Sequence, residues 1–170
     1  KEKINTTIKP DSSIKVSKND KWFKDYIKLA ERIYQELIHN KTVCKIFNPK
    51  NIEVYFYEGE SDIGAEELFI HTPDSKKLNI STFKSGEVNV EKDGMLETNI
   101  VICYESDIDF CLYLDYNIIT NMFSLSNSDD AKIILVDDIP FEESYEKLWL
   151  SADEIIEYLK HNLDKKSELL

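Results

Sequence analysis

A chain of 170 residues, 42% hydrophobic and 32% charged, has the length and apolar content for one domain with its own core, and excludes a disordered polyampholyte. Its net charge of −12 argues against partners built on phosphate backbones or anionic lipid. No apolar run approaches the roughly 20 residues that span a bilayer.

Lys1 to Lys18 is polar, with Pro10 and several Ser, Thr and Lys, and reads as a leader or tether ahead of a single domain over residues 19–170. Asn19 or Asp20 can cap a helix running to about Asn40. Within it Trp22, Tyr26, Leu29, Ala30, Ile33 and Leu37 recur at helical spacing, and Phe23, Ile27, Tyr34 and Ile38 widen the stripe. So broad an apolar face is expected to lie on a sheet, with its aromatics as core. Asn51 to Glu58 alternates with a period of two, Ile52, Val54 and Phe56 against Glu53, Tyr55 and Tyr57. Glu66 to Thr72 is the next expected strand, and Leu78 to Lys84 is expected to pair with Glu87 to Lys92 across Ser85-Gly86.

Lys92-Asp93-Gly94 is a second turn, leading into the middle of the sheet. Leu96 to Tyr104 and Phe110 to Tyr116 both alternate, and the acidic break Glu105-Ser106-Asp107 is too short for a crossover helix, so they form an antiparallel pair. Asn121 to Ser126 and Lys132 to Val136 follow as shorter strands. Phe141 to Leu150 fits either a helix or, over Lys147 to Leu150, one more strand. Ser151-Ala152-Asp153-Glu154 is a capping box, starting a helix to about Leu163. The expected fold is α+β: an antiparallel meander sheet, an N-terminal helix packed on it and a capped C-terminal helix.

No nucleophile elbow, phosphate-binding glycine loop, HExxH or CxxC occurs, so no catalytic residue, metal site or cofactor is expected. Asp107-x-Asp109 lacks the glycine and glutamate that a calcium loop of the EF-hand type needs at its sixth and twelfth positions. Asp107, Asp109, Asp129 and Asp130 keep open the alternative of a metal-assisted carboxylate hydrolase. Arg32 is the only arginine, which disfavours a guanidinium-built phosphate site. Cys44, Cys103 and Cys111 are too few for a disulfide framework. Cys103 and Cys111 fall on neighbouring strands, where either two thiols or a cross-strand bridge fits.

Charge placement is more informative. Lys1 to Lys50 carries 12 basic and 6 acidic residues, a net of +6, whereas Asn51 to Leu170 carries 9 basic and 27 acidic residues, a net of −18. With Ile52, Val90, Ile100 and Leu112 turned to the helices, the other face presents Tyr55, Tyr57, Phe83, Val101 and Tyr113, ringed by Glu53, Glu91, Glu97 and Asp115. Rigid rings within an acidic surround suit a surface for a basic protein partner. The competing expectation is that a second layer, such as the C-terminal helix, covers this face. A structural subunit of a surface complex is a further alternative.

The run LNISTFKSGEVNVEKDGMLETNIVICY (Leu78 to Tyr104), with WLSADEIIEYLKHNL (Trp149 to Leu163), resembles the TipC-type immunity proteins of Gram-positive bacteria. These neutralise type VII-secreted LXG toxins, including one that degrades the cell-wall precursor lipid II outside the membrane. The likeness covers about the C-terminal half and lies in the style and order of elements, with no invariant motif from which a contact residue transfers. It implies a non-catalytic toxin inhibitor that occludes a secreted toxin's active-site cleft. It also implies a place on the outer face of the bacterial membrane, held by an N-terminal anchor preceding Lys1; a cytoplasmic location is the alternative.

Overall fold

The computed structural model describes residues 14–17, 20–46, 48–57, 67–71, 87–104, 107–127 and 147–168. In chain order these form β1 (Ile14–Ser17), α1 (Lys21–Ile38), α2 (Lys41–Ile46), a 3-10 turn (Pro49–Asn51), β2 (Ile52–Tyr57), β3 (Glu67–His71), β4 (Glu87–Val90), β5 (Asn99–Tyr104), β6 (Asp107–Asn117), β7 (Met122–Asn127) and α3 (Ala152–Glu168). The fold is α+β, with an antiparallel sheet, an N-terminal helix and a C-terminal helix.

Five strands lie in the order β3-β2-β5-β6-β7, and each neighbouring pair is antiparallel. The two runs of period two meet as expected: Ile100 opposes Leu114, Ile102 opposes Leu112, and Cys103 opposes Cys111. Because side chains alternate, this register puts Ile52, Val54, Phe56, Ile100, Ile102, Leu112, Leu114, Tyr116, Phe123 and Leu125 on one face, and all are buried. β6 begins at Asp107, not Phe110, so Asp107 and Asp109 belong to a strand instead of the turn expected there.

Two expectations hold only in part, and Val90 does enter the same buried core as Ile52, Ile100 and Leu112. The leader is not wholly a tether: Ile14–Ser17 pairs antiparallel with β4, Val16 opposite Val88 and Ile14 opposite Val90. Val16, partly buried against the core, shows that an apolar residue in a polar stretch can seed a short strand when a partner edge is available. Val90, in turn, does not share the main sheet with Ile52, Ile100 and Leu112. It lies in a separate two-stranded sheet, and the chain joins the main sheet only after the turn that follows it. The expected strands Leu78 to Lys84 and Lys132 to Val136 lie outside the described residues.

α1 lays its stripe on the apolar sheet face, burying Trp22, Phe23, Tyr26, Ile27, Leu29, Ala30, Ile33 and Leu37. Its aromatics are core, as read from their spacing. Phe23 meets Phe56 edge-on at 5.4 Å, and Trp22 and Tyr26 both stack on Tyr116, at 5.8 and 5.5 Å. The Tyr26 hydroxyl accepts from the Ile100 amide at 3.1 Å and donates to the Leu114 carbonyl, tying helix, β5 and β6 together. Burial, with Asp115 adding to it, raises the phenol pKa well above its ordinary value, so it stays a neutral donor. Asp20 occupies the N-cap without a side-chain capping bond. Asn40, expected to end the helix, also starts the next: its Oδ1 accepts from the amides of Thr42 and Val43, at 2.9 and 3.1 Å, capping α2.

α3 opens on the expected capping box. The Ser151 amide donates to Glu154 Oε1 at 2.9 Å, and the Glu154 amide donates to Ser151 Oγ at 3.3 Å. Those bonds pull the Glu154 carboxyl below its ordinary pKa. Ile155, Ile156, Leu159 and Leu163 then join the core that α1 and the sheet share. Arg32 reaches Asp153 at 3.0 Å across the two helices, so the single guanidinium serves a surface ion pair. Lys147 to Leu150 is strand-like at one residue: Leu150 and Phe123 exchange amide–carbonyl bonds of 2.7 and 2.8 Å at the edge of β7.

Candidate functional site

Both helices lie on the apolar face, so the second face of the sheet is not roofed by α3. Its middle is nonetheless shut off from water. Val101 is 4% exposed, Cys103 2% and Ser126 1%. The register gives the row Tyr55–Val101–Tyr113–Ser126 and, beside it, Glu53–Cys103–Cys111. Tyr55, Tyr113, Glu53 and Cys111 are half-buried. An open aromatic platform is therefore not what the chain presents. A period of two tells which residues share a face; it does not tell whether water reaches that face.

Asp115 shows this most clearly. Expected on the acidic rim, it is 4% exposed and forms an ion pair with Lys147, Nζ to Oδ2, at 2.5 Å. Opposite it on β7 stands Ser124, fully buried, and two residues on stands Ser126. Neither serine hydroxyl meets a hydrogen-bond partner among the described residues. Lys147 was the missed residue here. Its only sequence signal is a lone cation in the acidic stretch FEESYEKLWL, and nothing local assigns it to Asp115. Of the other predicted positions, Phe83 and the side chain of Tyr57 lie outside the described residues.

Glu91 and Glu97 do remain exposed, and with Asp93 they line the turn between β4 and β5. That turn is rigidly built. The Glu91 amide donates to Met95 O at 2.8 Å, and the Gly94 amide to Glu91 O at 2.9 Å. Gly94 has φ +96°, and a Cβ there would come within 2.5 Å of Asn117 Oδ1 and 2.7 Å of Ile119, so only glycine fits. Asn117, buried at the end of β6, donates to Asp93 O at 3.0 Å and accepts from the amides of Ile119 and Thr120 at 3.0 and 3.2 Å. One asparagine thus clamps two turns together. Desolvation, then the charges of Asp93 and Glu97, raise the Glu91 pKa above its ordinary value; nearby Lys147 opposes this. The result is a fixed, mutually repelling set of carboxylates at one end of the sheet.

Among the described residues, no group of three or more His, Cys, Asp or Glu is placed to hold a metal ion. Asp107 and Asp109 lie along β6, while Asp129 and Asp130 lie outside the described residues. Cys44, Cys103 and Cys111 are thiols, not half-cystines. Within the same residues, no helix is long and apolar enough to cross a membrane. No family model, curated protein or solved structure matches this chain.

Proposed function

We propose that the protein is a non-catalytic immunity protein that binds and occludes a secreted antibacterial toxin. The carrying observation is the exposed Glu91–Asp93–Glu97 turn, held in one conformation by Gly94 and Asn117 on a body whose net charge beyond Lys50 is −18. Carboxylates fixed in place need no ordering when a basic surface arrives, so their attraction goes into association rate and orientation. The resemblance of Leu78 to Tyr104 and Trp149 to Leu163 to TipC-type proteins supports the same reading, and a position on the outer face of a bacterial membrane is part of the proposal.

In this proposal the contact surface moves from the centre of the second face to its acidic end. Glu91 and Glu97 keep the role assigned from sequence. Tyr55 and Tyr113 lie in the middle row of the face and Glu53 toward its opposite end, so these three fall outside the relocated surface, whereas Asp115 supports it from inside through Lys147. The test is co-expression with candidate secreted toxins, beginning with any that the neighbouring genes encode. The chain should restore growth of toxin-producing cells, and the purified pair should associate faster at low salt. Glu91→Lys with Glu97→Lys should slow association by roughly 10-fold and flatten its salt dependence. Growth arrest despite a folded, expressed chain would reject the immunity role. Rescue with an unchanged association rate in the double variant would reject only this surface.

A further inference from the structure

Cys103 and Cys111 are direct cross-strand partners in the two central strands of the sheet, on the same face. Directly opposed residues of an antiparallel pair have Cα atoms about 4.5–5.5 Å apart, inside the range of about 4.4–6.8 Å that a disulfide accepts. Their Cβ atoms, at about 4.5–5.5 Å, stand at the outer limit of the roughly 3.5–4.5 Å a relaxed bridge wants. The ladder shifts register immediately after Cys103, so this end of the hairpin is irregular and more twisted than a regular pair. A bridge here forms with strain, and strained bridges are the reducible ones.

The two thiols are also unequal. Cys103 is 2% exposed, with its Sγ 4.0 Å from Glu53 Oε1; Cys111 is half-buried and open to a reagent. We infer that Cys103 and Cys111 form a reversible dithiol–disulfide couple, with Cys111 the entry thiol and Cys103 the resolving thiol. With a small-molecule disulfide as oxidant, the Cys111 thiolate attacks one sulfur, the oxidant's S–S bond breaks, and one small thiol leaves. The Cys103 thiolate then attacks the Cys111 sulfur and expels the second small thiol. The protein loses two electrons and two protons; the oxidant becomes two thiols. Cys44, exposed on α2, has no cysteine opposite it and stays outside the couple.

The test is incubation of the folded chain with oxidised glutathione, read by intact mass and peptide mapping. The expected product has lost two hydrogens, links the peptides of Cys103 and Cys111, and returns to the dithiol in reduced glutathione. The exposed Cys44 thiol takes up its own glutathione in the parent, so the loss of two hydrogens is read as intact mass in Cys44→Ser and as the Cys103–Cys111 peptide link in both chains. Cys103→Ser should stop at a single glutathione on Cys111, while Cys111→Ser should leave Cys103 at least tenfold slower to react than Cys111 in the parent. A stable glutathione adduct on Cys111 in the parent chain, absence of reaction at both residues, or a link through Cys44 would each overturn the couple. Circular dichroism matching the parent qualifies each serine variant, and the parent measurement decides the matter without them.

Discussion

The two faces of the central sheet are both buried at their middle, yet they are built from opposite materials. The helix-covered face is apolar and aromatic, and the hydroxyl that Tyr26 inserts into it has a donor and an acceptor. The other face buries Asp115, Ser124 and Ser126 beside Val101 and Cys103, and the Asp115 carboxylate pairs with Lys147. Burial on the first face follows from hydrophobic area alone. Burial on the second must overcome desolvation, so it depends on particular pairings. Stability should therefore respond to volume on one face and to polar partnership on the other.

The largest effect expected is on the helix face. Phe23→Ala removes a ring wedged between Trp22 and Phe56 and should cost about 3–5 kcal/mol in chemical denaturation. A loss under 1 kcal/mol would mean that the stripe can repack around the gap. On the other face, Asp115→Ala strands Lys147. Breaking a well-buried pair costs about 3–5 kcal/mol, which the residual solvent contact of Lys147 reduces to about 1–3 kcal/mol. Lys147→Met in the same chain should recover much of that loss, and a double-mutant cycle measures the coupling. Additive costs would show that the pair carries no special weight.

Tyr26→Phe keeps the ring and deletes the hydroxyl, leaving the Ile100 amide and the Leu114 carbonyl without that partner. The expected cost is about 1–3 kcal/mol, with faster hydrogen exchange at Ile100. Ser124→Ala should lie at the other extreme, within about 0.5 kcal/mol of the parent or more stable, because it deletes a desolvated hydroxyl. A clear loss from Ser124→Ala would make the second face better satisfied than its geometry indicates.

The smallest effect concerns pH. The raised pKa of Glu91 means that the native state holds this proton more tightly than the unfolded chain does. Stability should fall as pH rises from the ordinary glutamate range through that raised value. Glu91→Gln should flatten this slope and leave the protein slightly more stable at neutral pH. An unchanged slope would show that the carboxylates of the turn do not repel one another.

Local pattern was sufficient where neighbours in sequence are also neighbours in space. The α1 stripe, the alternating β5 and β6, the turn at Lys92-Asp93-Gly94 and the Ser151–Glu154 box all follow from spacings within a few residues. α2 was not expected: Asn40 ahead of Lys41-Thr42-Val43 caps it, but the same residue is expected only as the end of α1. Phe123's bond to Leu150, the pairing of β1 with β4 and the Asp115–Lys147 contact join residues far apart in sequence, and no periodicity encodes such partners.

The residues in order therefore determined the fold class, the apolar side of each element and the acidic bias of everything beyond Lys50. Tertiary structure alone decided that the middle of the second sheet face is shut off from water and that Asp115 is a buried ion-pair partner. The reason is physical. Hydrophobic alternation fixes orientation relative to the strand, whereas exposure depends on what the rest of the chain brings against that side.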